Sequence, residues 1–278
     1  MTMENAAPMR DGEALLEAAS RADGRPGTVR LLASRCTKYE RDRALIKAAQ
    51  NGHLAAVREL IQLIRAGDPK DNASEALYWA VHYGHSDVVH ELISVSDPKN
   101  NNSLALRRAA SGGYLNVVRE LVPVSDPKAN DSEALRLAAL CNHLDVVKVL
   151  IPVSDPRAEE SRALRVAARD GNADVVRELV PVSDTARVFQ GELEKVVRAV
   201  REEGIEEVER QKVDFPSLRA VNALTPHMGE NLLEQTVRDL PEDLLKLLPH
   251  LAAWRERMLV REAIESYALA TPRRRRSL

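Results

Sequence analysis

The chain is poor in aromatic residues, with two Phe, two Trp and five Tyr in 278 residues. That scarcity excludes a thick aromatic core and leaves Leu, Val and Ala to fill thin layers. It holds two cysteines, Cys36 and Cys141, in no motif, so a disulfide framework or a thiolate metal site is not expected. Neither sign of charge dominates: 40 basic residues face 42 acidic ones, which argues against bulk attraction to nucleic acid or an anionic membrane. No apolar run approaches a membrane span, and the opening MTMENAAPMRDG has no hydrophobic signal region. Gly-rich phosphate loops and a nucleophile elbow are also missing, so an enzyme is not expected. A reducing, cytosolic setting is the default. Delivery into another cell would leave the same sequence, and that alternative stays open.

What the chain has in abundance is repetition. Asp97-Pro98, Asp126-Pro127 and Asp155-Pro156 fall 29 residues apart, and Asp184 keeps the interval with Thr185 in place of proline. Ser74, Ser103, Ser132 and Ser161 keep it too. A fixed period of this size marks a stacked array. Within the unit starting at Ser132, Leu135, Ala138 and Ala139 have the spacing of one buried helix face. Asn142, with Gly52, Gly84, Gly113 and Gly171 in the same column, reads as a left-handed helix C-cap that turns the chain back. Val146, Val147, Leu150 and Ile151 then form the stripe of a second helix, which Pro152 stops. Asp155-Pro156 predicts a short turn before the next unit. One such hairpin cannot bury its own apolar face, so copies must stack on a shared core.

The stretch ALRLAALCNHLDVVKVLI resembles the ankyrin repeat, whose second part reads approximately AAxxGHxxVVxxLL. The resemblance spans about residues 12–212. EALR stands where that family has TPLH, the period is shorter, and VSDPKANDS lacks the GAD signature of β-hairpin fingers, so compact SDP turns are expected in their place. The resemblance implies protein–protein recognition without catalysis.

The expected fold is all-α: an ankyrin-like helical-hairpin solenoid with a C-terminal helical segment. Residues 1–11 read as a disordered tail. The solenoid covers 12–212, divided into an N-terminal cap (12–42, with a loosened turn from Gly24 to Gly27), repeats (43–185, with an insertion at IQLIRAG before Asp68-Pro69) and a degenerate, polar cap (186–212, turning at Gly204). Residues 213–270 form helices over about 216–224, 230–239 and 241–269, the last bent at Pro249. Leu240, Leu244, Leu247, Leu251, Trp254 and Met258 make a stripe that packs on the solenoid end or on sibling helices, or serves self-association or docking. LPEDLLKLL, Leu240 to Leu248, is similar to the opening of an F-box, which would recruit ubiquitin-ligase machinery. The basic tail 271–278, with Arg273 to Arg276, is either a nucleic-acid or import patch or a solvated terminus.

Helical phase selects the candidate binding face. If Leu135, Ala138 and Ala139 face the core, then Glu133, Arg136, Leu137 and Leu140 face away, and the matching positions stack into a strip. Its partner-binding residues are predicted to be Tyr78, Trp79, His82, Arg107, Arg108, Arg136, Leu140, Arg165 and Arg169. Large aromatics on an exposed face suit an interface anchor, and the arginine fork suits acidic groups on a partner protein. The alternative for Arg107, Arg136 and Arg165 is pairing with Glu159, Glu160 or Asp131 in the place of a histidine that ties down the ankyrin connector. His53, His85 and His143 share one column and read as structural hydrogen-bonding residues. His82, His85 and His90 with Asp87 do not make a metal site, because the turn at Gly84 breaks their spacing. No cofactor is expected.

Overall fold

The computed structural model describes residues 11–21, 25–64, 70–210 and 215–270. Residues 1–10 of the expected N-terminal tail, the basic tail 271–278, Gly24 at the start of the loosened turn, and the later part of the insertion with Asp68-Pro69 lie outside the described residues, whereas Asp11 already belongs to the first helix. Among the described residues the fold is all helical, without strands, and forms two compact units that part between Asp155 and Pro156.

The first unit is a series of helical hairpins: α1 (Asp11–Ser20) with α2 (Pro26–Arg35), α3 (Lys38–Asn51) with α4 (Leu54–Ile64), α5 (Lys70–His82) with α6 (Ser86–Ile93), α7 (Asn100–Gly112) with α8 (Leu115–Leu121), and α9 (Ala129–Leu140) with α10 (Leu144–Leu150). Gly52, Gly84 and Gly113 turn at φ 74, 77 and 72°, and Asn142 at φ 60°. The backbone N–H of the following residue closes each turn onto the first helix, as in His53 to the Ala48 carbonyl at 2.9 Å and His143 to Ala138 at 2.9 Å. This is the Schellman closure that left-handed residues permit. A side chain at Gly52 or Gly113 would also collide with the ring of His85 or His143 from the next hairpin, at 2.6 and 2.5 Å. Those rings bond across hairpins through Nε2, His85 to the Gln50 carbonyl and His143 to that of Ser111, each at 3.0 Å. His53 does the same to Ser20. The histidine column is therefore structural, as its repetition implied.

First helices pack on first helices, α1 through α9, and second helices on second helices, α2 through α10. Leu45, Leu77, Leu106 and Leu135 of the first helices and Leu60, Leu92, Leu121 and Leu150 of the second are all fully buried. Each such side chain contributes about 2 kcal/mol by leaving water. The alanine pairs beside them, such as Ala109-Ala110 and Ala138-Ala139, are sealed as well, so neighbouring backbones come close.

SDP turns replace β-hairpin fingers, and they carry two devices. Asp97 and Asp126 accept the N–H two residues on through Oδ1, at 3.0 Å each. The serine column clamps them: Ser74, Ser103 and Ser132 accept the backbone N–H of Asp97, Asp126 and Asp155 at 2.9, 2.8 and 2.7 Å. The second device is unexpected. Asn101–Ser103 and Asn130–Ser132 sit at φ 49 to 61°, a full left-handed turn before the right-handed helix begins. Asn and Asp tolerate this region better than other L-residues do.

The second unit opens with one more hairpin, α11 (Ala158–Asp170) and α12 (Ala173–Leu179), turned at Gly171 (φ 78°) and clamped by Ser161 on the Asp184 N–H at 2.8 Å. Long helix α13 (Thr185–Glu203) is capped by the Asp184 side chain and breaks at Gly204 before α14 (Ile205–Arg210). Its inner face is Val188, Phe189, Glu192 and Val196. Helix α15 (Pro216–Leu224) packs against α11 and α13. Then follow α16 (Glu230–Asp239), α17 (Glu242–Lys246) and α18 (Pro249–Ala270). The expected single helix over 241–269 is two, because Pro249 has no N–H to continue the ladder and instead starts α18. Leu244, Leu245, Leu247, Leu248 and Leu251 are buried.

Candidate partner-binding face

On α5, α7 and α9 the outward positions form one strip, since these helices pack in sequence. At its α5 end stand Glu75, Tyr78, Trp79 and His82, next to Tyr83 just past the helix. Trp79 is half-buried among its own neighbours: its ring lies 5.3 Å from Tyr78, 5.4 Å from His82 and 6.1 Å from Tyr83, the last nearly parallel. Its Nε1 donates to Glu75 Oε1 at 3.4 Å. Tyr83 is 53% exposed and stacks one helical turn beyond Trp79. It was missed in the sequence because it follows the helix end, although its i+4 spacing from Trp79 was there to read. Nδ1 of His82 on α5 and Nε of Arg108 on α7 are buried without a hydrogen-bond partner. A cleft of ≈ 290 Å³ opens beside Tyr78, between α5 and the Asp97-Pro98 turn, with Leu104 and Asn101 on its far wall.

The arginines tell a different story. Arg107 pairs with Glu133 from the next first helix and donates Nη2 to the Asn101 carbonyl at 2.8 Å, fastening the left-handed turn. Arg136 reaches the same Glu133 at 2.8 Å. Burial opposes ionisation of Glu133, but hydrogen bonds from Asn130 and Arg107, with the charges of Arg107 and Arg136, outweigh it and hold its carboxyl below the usual range.

In the second unit Arg165 donates to the Glu160 carbonyl at 3.0 Å and lies 3.5 Å from the Glu160 carboxylate. Arg169 grips Glu192 with two bonds, at 2.8 and 2.9 Å. Glu192 is 1% exposed and also takes Lys195 at 2.7 Å. There too burial works against the charge, yet hydrogen bonds from Arg169, Lys195 and Ser217 and the Arg169 charge win, lowering its carboxyl. The polar cap expected over 186–212 thus hides one of its glutamates: Glu192 is buried where α15, carrying Ser217, packs on α13.

Of the nine predicted residues, Arg107, Arg136, Arg165 and Arg169 are thus engaged by carboxylates and carbonyls of their own chain. The reading that these arginines tie down connectors is the one the geometry matches for Arg107 and Arg165, with Glu133 the main partner not foreseen and Asp131 not used by any of them. Tyr78, Trp79 and His82 gather on α5, Arg108 stands on α7, and Leu140, 39% exposed, closes α9. His85 is committed to Gln50 and His90 faces Glu120 at 3.3 Å.

Among the described residues no helix is long and apolar enough to cross a membrane. A family model of ankyrin repeats in three copies matches residues 15–103 and 106–189, more than half the chain. No curated protein sequence matches it. Among solved structures it is similar to the human ASB11 ankyrin repeat domain, at 21% identity and a TM-score of 0.49, covering 60% of this chain and 82% of that one. Ankyrin repeats are protein–protein interaction modules, and with the family model matching over this span, on the hairpins just described, the chain belongs to the ankyrin-repeat family.

Proposed function

We propose that this protein is a non-enzymatic scaffold or inhibitor that holds a partner protein against the first-helix face of α5, α7 and α9, anchored at Trp79. The observation that carries the reading is the aromatic group Tyr78, Trp79, His82 and Tyr83, gathered on an outward face in a chain with only nine Phe, Trp and Tyr residues. Aromatic side chains expend little conformational entropy on binding and dominate interface energetics. The unpaired His82 Nδ1 and Arg108 Nε lie on the same face and lack hydrogen-bond partners in the free chain. Leu140 extends the face at α9. Both cysteines are free, in keeping with a cytosolic site of action.

The adaptor reading gains nothing from the geometry: Leu244, Leu245, Leu247 and Leu248 of the F-box-like stretch are buried in their own unit. A photo-crosslinking residue at Tyr83 should capture a partner, whereas one at the exposed Arg119 on the second-helix side should not. Capture from Arg119 alone overturns the placement.

A further inference from the structure

Resting on that reading, we infer that the cleft beside Tyr78 receives a lysine or arginine side chain from an extended segment of the partner. Among the described residues the only charged ones lining it are Glu75 and Asp97, both carboxylates. Neither makes an ion pair with any described residue. Glu75 spends one oxygen on Trp79, and Asp97 spends one on the Lys99 N–H. The reason Glu75 is unpaired lies in the repeat. Glu133 occupies the same column two repeats on and is taken by Arg107 and Arg136. At the corresponding places around Glu75 stand Ile46 and Tyr78, which carry no charge. One substitution pattern therefore frees a carboxylate and sets an aromatic ring beside it. A cation entering here meets two negative groups beside the Tyr78 side chain, a combination that favours an ammonium or guanidinium over a neutral side chain. The apolar lining residues Leu77, Leu104 and Ala105 suit the methylene stem of such a side chain. Trp79 and Tyr83 then take the residues that flank it.

The test is selection of a displayed library of random dodecapeptides on the full-length chain. The selected peptides are then titrated against wild type, Glu75→Gln, Asp97→Asn and Trp79→Ala. Each variant is first shown to melt like wild type; Asp97→Asn keeps the oxygen that accepts the Lys99 N–H. The inference predicts a shared basic residue, whose replacement by norleucine weakens binding roughly tenfold. Glu75→Gln should do the same, and the two changes together should cost little more than either alone. Peptides that bind through Trp79 but share no basic residue, or ignore Glu75→Gln and Asp97→Asn, overturn the inference and leave the proposed face standing. Selection that yields no peptide dependent on Trp79 overturns both.

Discussion

Helices α5 and α9 are built on the same template and do opposite things with it. Both bury a leucine and a small pair against their neighbours, and both present a glutamate one turn before the next outward residue. On α9 that glutamate, Glu133, is locked between Arg107 and Arg136. On α5 the equivalent Glu75 holds only the edge of Trp79. A repeated backbone thus separates two jobs: the shared columns supply stability, and the same outward columns either reinforce the stack or stay available. Conspicuous arginines are the used surface, and the aromatic end is the unused one.

The largest effect expected from disturbing this arrangement is at the shared seam. Leu135→Ala should lower unfolding free energy in urea by about 3 kcal/mol, since the site is sealed and leaves a cavity. A loss below about 1 kcal/mol would show that the hairpins do not share one core. Next comes the second unit's lock. Arg169→Ala strips a buried carboxylate of its bidentate partner and should cost about 2 kcal/mol at neutral pH. The Glu192 carboxyl is lowered in the folded state, so its contribution is present above the ordinary value of 4.5 and fades as pH falls through the lower folded value. The gap between wild type and Arg169→Ala should therefore close in acid, below about pH 4.5; a constant gap would assign the loss to packing.

Smaller again is Glu133→Gln, which removes the carboxylate that Arg107 and Arg136 share and should cost about 1 kcal/mol. If it also created affinity for acidic peptides, the division between used and unused surface would be sharpened, because the arginines would bind once released. The smallest is Glu75→Gln, expected to shift stability by less than about 0.5 kcal/mol, as for surface positions without an ion pair. A larger loss would mean that Glu75 is structural after all.

What could be read from residues alone follows the same division. Period, turn column, histidine column and leucine columns depend on local chemistry repeated many times, and each stands where the sequence pattern put it. The left-handed turns were hidden because their residues differ: Asn101–Ser103 hints at one, but Glu159–Ser161, at φ 46 to 59°, does not. The serine clamp and the packing of the following helix hold that turn. Arginine pairing was half legible: Glu160 was among the partners considered and does meet Arg165, but whether Arg107 meets Glu133 or a partner depends on side-chain reach between adjacent helices. The burial of Glu192 was not legible because a helix some twenty residues later in the chain covers it.

The most direct measurement is calorimetric titration of one selected peptide into wild type and into Trp79→Ala, at matched melting temperature. The account predicts at least roughly thirtyfold weaker binding for the variant, the loss typical of a central aromatic anchor. Equal affinity for the two proteins would contradict it.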